Sequence, residues 1–249
     1  MHTLPRLNGR YWLALVLAST FGTNTGDLMS DGLGLGHVAG LPWIIGALVL
    51  VFIAERASPW KTALFFWAAI IIIRTGATNI GDAFHDYKID FSISLPVVLV
   101  CYVVSVLLYR TYWLRSGSAS LGVNPIYWIT MVLAGVLGTI GGDAASFRLG
   151  LTPVGTAIVF FALVALVTTL WRQDGKLSEP IPYWTTLALI RTGGTGAGDA
   201  LAHKIGLVPS TLLTGAVFVG ILIYFYAIET DNSARVSQDA TALHCEDTP

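Results

Sequence analysis

Long apolar segments alternate with short polar ones along the chain, up to residue 228. Eight apolar segments are each about long enough to cross roughly 30 Å of hydrocarbon as a helix. They lie near residues 11–27, 38–54, 62–83, 92–109, 125–146, 153–171, 183–202 and 207–228. Helices satisfy their own backbone hydrogen bonds inside lipid, so this pattern predicts an all-α, polytopic membrane protein with eight transmembrane helices.

A motif recurs four times, in every second apolar segment. In each copy a tryptophan precedes an aspartate by fifteen residues, and an aromatic residue stands directly before the tryptophan. A threonine lies four residues before the aspartate, and a glycine directly before it. The tryptophans are Trp12, Trp67, Trp128 and Trp184, the threonines are Thr23, Thr78, Thr139 and Thr195, and the aspartates are Asp27, Asp82, Asp143 and Asp199. The spacing predicts a tandem repeat of two helices.

Because each repeat contributes two predicted helices, all four copies would enter the membrane in the same direction. The repeats cover about residues 10–56, 61–110, 125–172 and 182–228. Copies two and four have Arg74 and Arg191 where copies one and three have Ser19 and Gly135, which indicates duplication of a two-repeat half. We therefore expect one membrane domain over residues 1–228, with pseudo-two-fold or pseudo-four-fold symmetry.

The composition supports a membrane location and excludes some classes of function. Hydrophobic residues make up 54% of the chain and charged residues 12%, with a mean hydropathy of +0.69, which is too apolar for an ordinary soluble domain. A net charge of −1 without a basic cluster gives no case for a nucleic-acid partner. Two cysteines, Cys101 and Cys245, are too few for a disulfide framework or a CxxC site.

Basic residues predict the orientation. Nine lie on the side of the two termini: Arg6, Arg10, Arg56, Lys61, Arg110, Arg115, Arg172, Lys176 and Arg235. The opposite side, just after the motifs, carries Lys88, Arg148 and Lys204. By the positive-inside rule, both termini are expected in the cytoplasm and the aspartates toward the outer face. The polar residues 229–249 lack periodicity and are predicted to form a disordered cytoplasmic tail.

The motif aspartates are the main candidate functional residues, because an intramembrane carboxylate normally faces a bundle interior or a water-filled cavity. In copies two and four, four polar side chains stand at steps of four residues and share one helical face. These are Arg74, Thr78, Asp82 and Asp86, and Arg191, Thr195, Asp199 and His203. The corresponding positions are Ser19, Thr23, Asp27 and Asp31 in copy one, whereas copy three ends in Phe147.

Two interpretations of these faces remain open. In the structural one, arginine and aspartate pair with each other while threonine and glycine permit close helix packing. In the functional one, the four aspartates and four threonines line a polar cavity for an ion, and Arg74 and Arg191 balance part of the charge. Since an unpaired guanidinium is costly in a membrane, we expect each to lie within about 4 Å of a motif carboxylate.

A second polar group lies near the outer ends of these faces and consists of Asp31, Asp86, His85 and His203. Imidazole with carboxylates suits a transition metal, although hydrated histidines at a membrane surface explain it equally well. His37 follows the glycine-rich GLGLG segment, which is typical of a tight turn, and is a weaker candidate. The four motif tryptophans are predicted to anchor helices at the headgroup level.

The motif tryptophans together with TNTGD, TNIGD, TIGGD and TGAGD resemble a family of bacterial integral membrane proteins that is defined by a four-copy repeat of unknown function. The resemblance covers about residues 10–228. It implies eight spans and a bacterial inner-membrane location, and it implies no activity.

The sequence favours a transporter or channel for a small solute. The favoured solute is a cation, and divalent metal ions are among the candidates. An anionic substrate held by the arginines is the main variant. The expected partners are the lipid bilayer and the transported ion, with no certain cofactor. A non-transporting scaffold or sensor remains an alternative, as does a redox protein with haem on His85 and His203. An enzymatic activity is not favoured, because no serine or cysteine nucleophile lies near a histidine in a recognisable elbow.

Overall fold

The computed structural model describes residues 4–59, 63–118, 120–173 and 176–246, with the backbone alone for 173 and 229–246. Over these ranges the chain forms eight α-helices and no β-strand. They are α1 (Gly9–Asp27), α2 (Leu41–Ala57), α3 (Ala63–Asp86), α4 (Phe91–Ser116), α5 (Pro125–Asp143), α6 (Thr152–Gln173), α7 (Pro180–Ile205) and α8 (Leu207–Glu246). Each helix covers one of the apolar segments, which confirms the all-α class.

Five of the described helices are long and apolar enough to cross a membrane, namely α3, α4, α5 with the turn that follows it, α6 and α8. Burial divides them into two groups. In α3 and α5, 61% of the apolar window is buried inside the protein, against 22% in α4 and 11% in α6 and α8. The apolar surface of α4, α6 and α8 is therefore available to lipid, as expected for a membrane protein.

The first helices of the four repeats form a closed ring. In this ring α1 packs on α3 and α7, and α5 packs on the same two helices. We call α1, α3, α5 and α7 the inner helices. The remaining four lie outside the ring, and each packs mainly against the inner helix of the following repeat: α2 on α3, α4 on α5, α6 on α7, and α8 on α1.

The motif glycines explain how closely the inner helices approach. A Cβ atom added to Gly26 would lie 2.8 Å from the Cβ atom of Thr78. The same relation joins each motif glycine to the motif threonine of the next copy, through the pairs Gly81 with Thr139, Gly142 with Thr195 and Gly198 with Thr23. Glycines four residues earlier, such as Gly22 and Gly138, complete the small-xxx-small pattern that brings membrane helices together.

The inner helices end in two different ways. Helices α1 and α5 end at their motif aspartates and continue as π-helical turns over Leu28–Gly32 and Ala144–Arg148. Helices α3 and α7 stay α-helical beyond the aspartate. Because a π-turn shifts the register, Asp31 does not continue the polar face of copy one, and its side chain is 69% exposed. The predicted four-residue periodicity therefore extends past the aspartate only in copies two and four.

The last helix, α8, continues through residues 229–246, which the composition predicted to be disordered. Extending an existing helix costs much less than nucleating a new one, so the apolar part of α8 supports helical backbone in the polar segment. Residues 247–249 of the predicted tail, and Lys61 at the start of the second predicted repeat, lie outside the described residues.

Candidate functional site

The four motif aspartates converge at one end of the ring of inner helices, and all four are half-buried. Asp82 interacts electrostatically with Asp27, Asp143 and Asp199, and its side chain is 22% exposed. Asp199 likewise interacts with Asp143 and Asp27. We call these four side chains the carboxylate ring. The structure thus brings together four carboxylates that are more than fifty residues apart in sequence.

Arg74 lies beneath the carboxylate ring and is fully buried. Its Nη2 atom donates to Thr23 Oγ1 and Thr195 Oγ1, both at 2.6 Å, and its Nη1 atom donates to Thr139 Oγ1 at 3.0 Å. Three further hydrogen bonds reach the carbonyl oxygens of Ser19, Gly135 and Arg191. The arginine of copy two is therefore bound by the motif threonines of the three other copies.

The expected ion pairs between arginines and motif aspartates are absent. Among the residues that the structure describes, neither Arg74 nor Arg191 has a carboxylate oxygen within 4.0 Å. That prediction is wrong for a geometric reason. The threonine lies between the arginine and the aspartate along each helix, so the threonine hydroxyls meet Arg74 first, and the carboxylates act on it across a longer distance.

Arg191 has the same position in its repeat but points away from the carboxylate ring. Its Nη2 atom lies 3.3 Å from the Met131 sulfur, and its charge interacts with the hydroxyls of four tyrosines: Tyr11, Tyr102, Tyr127 and Tyr183. In the described part of the chain, its Nε and Nη1 atoms are buried without a hydrogen-bond partner. Arg191 therefore does not balance the charge of the carboxylate ring in the way the sequence predicted.

Aromatic side chains fill the other end of the ring of inner helices. The Tyr183 hydroxyl lies 2.6 Å from that of Tyr11 and 2.8 Å from that of Tyr127. The ring of Phe66 packs against the rings of Tyr11 and Tyr127. The tryptophans differ from the predicted headgroup anchors. Trp67 and Trp184 are buried in this aromatic cluster, and Trp12 and Trp128 are half-buried against it. Their neighbours are aromatic rings of adjacent helices. These rings cover the apolar faces of the tryptophans that a headgroup anchor would present to lipid.

His37, which the sequence ranked only as a weak candidate, contacts three carboxylates in the structure. Its Nδ1 atom lies 2.6 Å from a carboxylate oxygen of Asp86, and its Nε2 atom lies 3.8 Å from Asp31 and 3.9 Å from Asp82. The preceding loop turns back over the carboxylate ring through Gly34 and Gly36, both with positive φ. Glycine adopts this conformation without strain, so the GLGLG segment was the available signal.

The predicted metal group of Asp31, Asp86, His85 and His203 is not assembled. Both aspartates face His37, His85 stacks against Phe91, and His203 is exposed. In the described ranges, no group of three or more His, Cys, Asp or Glu side chains could hold a metal ion.

Two buried asparagines were also missed. Asn24 and Asn79 stand three residues before Asp27 and Asp82 and are fully buried. Neither carboxamide has a hydrogen-bond partner within the described residues. The asparagine of TNTGD and TNIGD was the sequence signal, since copies three and four have isoleucine and glycine there. A buried amide without a partner is costly and marks a place where a ligand could supply the missing contacts.

Two of the four copies match a known family model. Residues 10–58 and 126–174 match the Repeat of Unknown Function (DUF347). These segments are copies one and three, and the match is consistent with the tandem-repeat family of unknown function that the sequence resembles. No curated protein and no solved structure matches the chain. Since the repeat has no assigned activity, the function is argued from the geometry of the site.

Proposed function

We propose that the protein is a membrane carrier for a small cation, with the carboxylate ring as its binding site. One observation carries the proposal: four carboxylates from four helices meet at one end of the ring of inner helices, and they face a single guanidinium, that of Arg74. The excess of negative groups attracts cations. Carboxylate oxygens are also ligands that hard cations prefer.

The buried asparagines extend this argument. Asn24 and Asn79 each lie one turn before a carboxylate of the ring, with amide oxygens that have no partner among the described residues. An amide oxygen replaces a hydration water of a cation without adding charge. In the arrangement of the described residues, no group of three or more acidic side chains is placed to hold a metal ion. The proposed site therefore requires a rearrangement of the inner helices that aligns the carboxylates, and the amides of α1 and α3, as one set of oxygen ligands.

A carrier fits the packing better than an open channel does. Below the carboxylate ring, the interior is occupied by Arg74 with its three threonines, then by Arg191, and then by the tyrosine cluster. An ion that entered from the carboxylate end would stop at Arg74. Transport therefore requires inner helices to move relative to one another, as alternating access does.

The proposal includes eight membrane spans. Helices α1 and α7 are less apolar than the other spans, because both carry threonines and glycines, and α1 also Asn24, that face other helices. Helix α2 has 17 residues, which is at the short end for a span. The ring packing of four similar units supports pseudo-four-fold symmetry. The distribution of basic residues favours cytoplasmic termini, with the carboxylate ring toward the outside of a bacterial inner membrane.

The test is cation uptake by the purified protein in proteoliposomes, with sodium, potassium, magnesium, manganese and protons each assayed separately. Asp82→Asn and Asp199→Asn should each lower the uptake of the accepted cation at least about tenfold, the effect of about 1.4 kcal/mol in binding. Asp90→Asn is the matched control, because Asp90 precedes α4 and is absent from the carboxylate ring.

The same experiment separates a carrier from a scaffold. A scaffold would show no uptake of any cation, and Asp82→Asn and Asp199→Asn would differ from the unaltered protein only in stability. Uptake that is unchanged in both Asp82→Asn and Asp199→Asn, with folded protein by size-exclusion chromatography, would contradict the proposed site. Misfolding of every ring variant beside a well-folded Asp90→Asn protein would assign the carboxylates a structural role instead.

A further inference from the structure

The proposed cation site does not explain how the buried guanidinium of Arg191 is stabilised. Its side chain is fully buried at the level between Arg74 and the tyrosine cluster, inside an apolar bundle. One nitrogen contacts a thioether, a weak acceptor, and the other two have no partner among the described residues. A buried guanidinium without a counter-charge or hydrogen-bond acceptors is among the most costly groups that a membrane protein can contain.

The surroundings of Arg191 offer further donors. Tyr11, Tyr183 and Tyr127 have three hydroxyl protons, and their two mutual hydrogen bonds use two of them. The hydroxyls of Tyr11 and Tyr127 also interact with each other, so the third O–H donor either closes this triangle or turns toward a ligand. The hydroxyl of Tyr102 is already committed, since it donates to the carbonyl oxygen of Trp184 at 2.7 Å.

Acceptors are scarce at this level of the bundle. The charge of Arg191 interacts with the four tyrosines, and no carboxylate is near it among the described residues. Met131 on α5 and Leu187 on α7, which are buried in the same core as the tyrosines, are apolar. The nearest other charge is that of Arg74, which has the same sign.

We infer that a small inorganic anion of the size of chloride binds between Arg191 and the tyrosine hydroxyls. An anion there accepts hydrogen bonds from Nε and Nη1, competes with the neighbouring tyrosine for the third O–H, and neutralises the buried charge. Water in the same place would accept fewer of these bonds and leave the charge uncompensated. This site lies on the opposite side of Arg74 from the carboxylate ring, and it exists whether or not the protein transports a cation.

The first experiment measures thermal unfolding of the detergent-purified protein while sodium chloride replaces sodium gluconate at constant ionic strength. A ligand that binds only the folded state raises the Tm, by roughly 5–10 °C when chloride reaches about 100 times its Kd. Arg191→Gln should abolish this rise, and Arg191→Lys should retain part of it. Arg56→Gln is the matched control because Arg56 is exposed, and it should respond as the unaltered protein does.

Two outcomes overturn the inference: a Tm of the unaltered protein that is independent of chloride, or a chloride response that survives in Arg191→Gln. If the Arg191 variants fail to fold, crystals of the unaltered protein soaked in bromide decide the question. Anomalous scattering should locate bromide within about 3.5 Å of Nε or Nη1, the usual contact distance of a polar pair. The absence of a peak there at saturating bromide rejects the site.

Discussion

Arg74 and Arg191 occupy the same position in their repeats, eight residues before a motif aspartate, yet their surroundings are opposite. Arg74 makes six hydrogen bonds to threonine hydroxyls and backbone carbonyls of the other three inner helices. Arg191 lies at the tyrosine side with one bond to a sulfur atom and, among the described residues, two nitrogens that have no partner. Equal sequence positions therefore do not give equal roles.

The reason is that the axis has room for one guanidinium at the threonine level. Once Arg74 occupies it, a second guanidinium there would face a like charge at short distance, which is unfavourable in a medium of low dielectric. Arg191 extends toward the start of its helix instead, the direction in which helical side chains normally lean. One arginine joins the four inner helices, and the other keeps two nitrogens without a partner among the described residues.

The largest expected effect is the loss of stability on removing the Arg74 guanidinium, compared with the small loss on removing that of Arg191. Arg74→Met deprives three threonines and the carboxylate ring of their shared cation and should cost about 3 kcal/mol or more of unfolding free energy. Arg191→Met removes an uncompensated buried charge and should cost less than about 1 kcal/mol in chloride-free buffer. Thermal unfolding in detergent measures both variants. Equal losses of unfolding free energy would contradict the different roles assigned to the two arginines.

The motif threonines should also differ in their contribution to stability, according to whether their hydroxyls bind Arg74. Thr23→Val and Thr195→Val each remove a hydroxyl that binds the charged Arg74, at an expected cost of about 1.5–3 kcal/mol. Thr78→Val is the matched control, since the Thr78 hydroxyl is buried without a partner among the described residues and its loss should be nearly neutral. The prediction fails if Thr78→Val is as destabilised as the other two variants in the same melting experiment.

Glycines that contact the arginines provide the next test. A Cβ atom on Gly22 would lie 2.5 Å from the Cγ atom of Arg74, and one on Gly138 would lie 2.7 Å from the carbonyl carbon of Arg191. Alanine at either position should cost about 1–3 kcal/mol through overpacking. On Gly46, in α2, a Cβ would meet no described atom within 4 Å, so Gly46→Ala should raise the Tm slightly.

A smaller effect is expected for Tyr183→Phe. This change removes the central hydroxyl of the tyrosine chain and leaves Tyr11 and Tyr127 without their mutual bridge, at a cost of about 1 kcal/mol. Tyr224→Phe, on an exposed tyrosine of α8, controls for the substitution itself. Identical melting temperatures for both variants would mean that the tyrosine chain contributes nothing to stability.

The smallest effect concerns an arginine that is exposed. Arg148 pairs with Asp90, and the pKa of Asp90 is lowered from its ordinary value by the backbone and side-chain hydrogen bonds from Ser92 and, further, by Arg148. Because the folded pKa is depressed, this contribution is complete above the unfolded pKa of about 3.9 and disappears as the pH falls through the folded value. A slight Tm advantage over Asp90→Asn at pH 7 should therefore shrink progressively as the pH is lowered below about 4.

Much of the fold could be predicted from local patterns. Eight apolar segments became eight helices, and the repeat spacing located the inner helix of each unit, because segment length and hydropathy are local properties. In the functional interpretation the motif aspartates line one cavity, and the structure places their carboxyl groups within electrostatic reach of one another. The ion pairs failed as a prediction, because a spacing of eight residues does not reveal that threonines of other copies lie between the arginine and the carboxylate.

The sequence by itself determined that the chain is a helical membrane protein of four tandem units, and that aspartate, threonine and glycine recur on one side of each inner helix. Only the tertiary structure decided which helix each glycine contacts, which arginine occupies the axis, and that His37 lies over the carboxylates. These outcomes depend on which copies become neighbours in the ring. Local periodicity specifies the face of a helix, whereas its partners are chosen by packing among all four units.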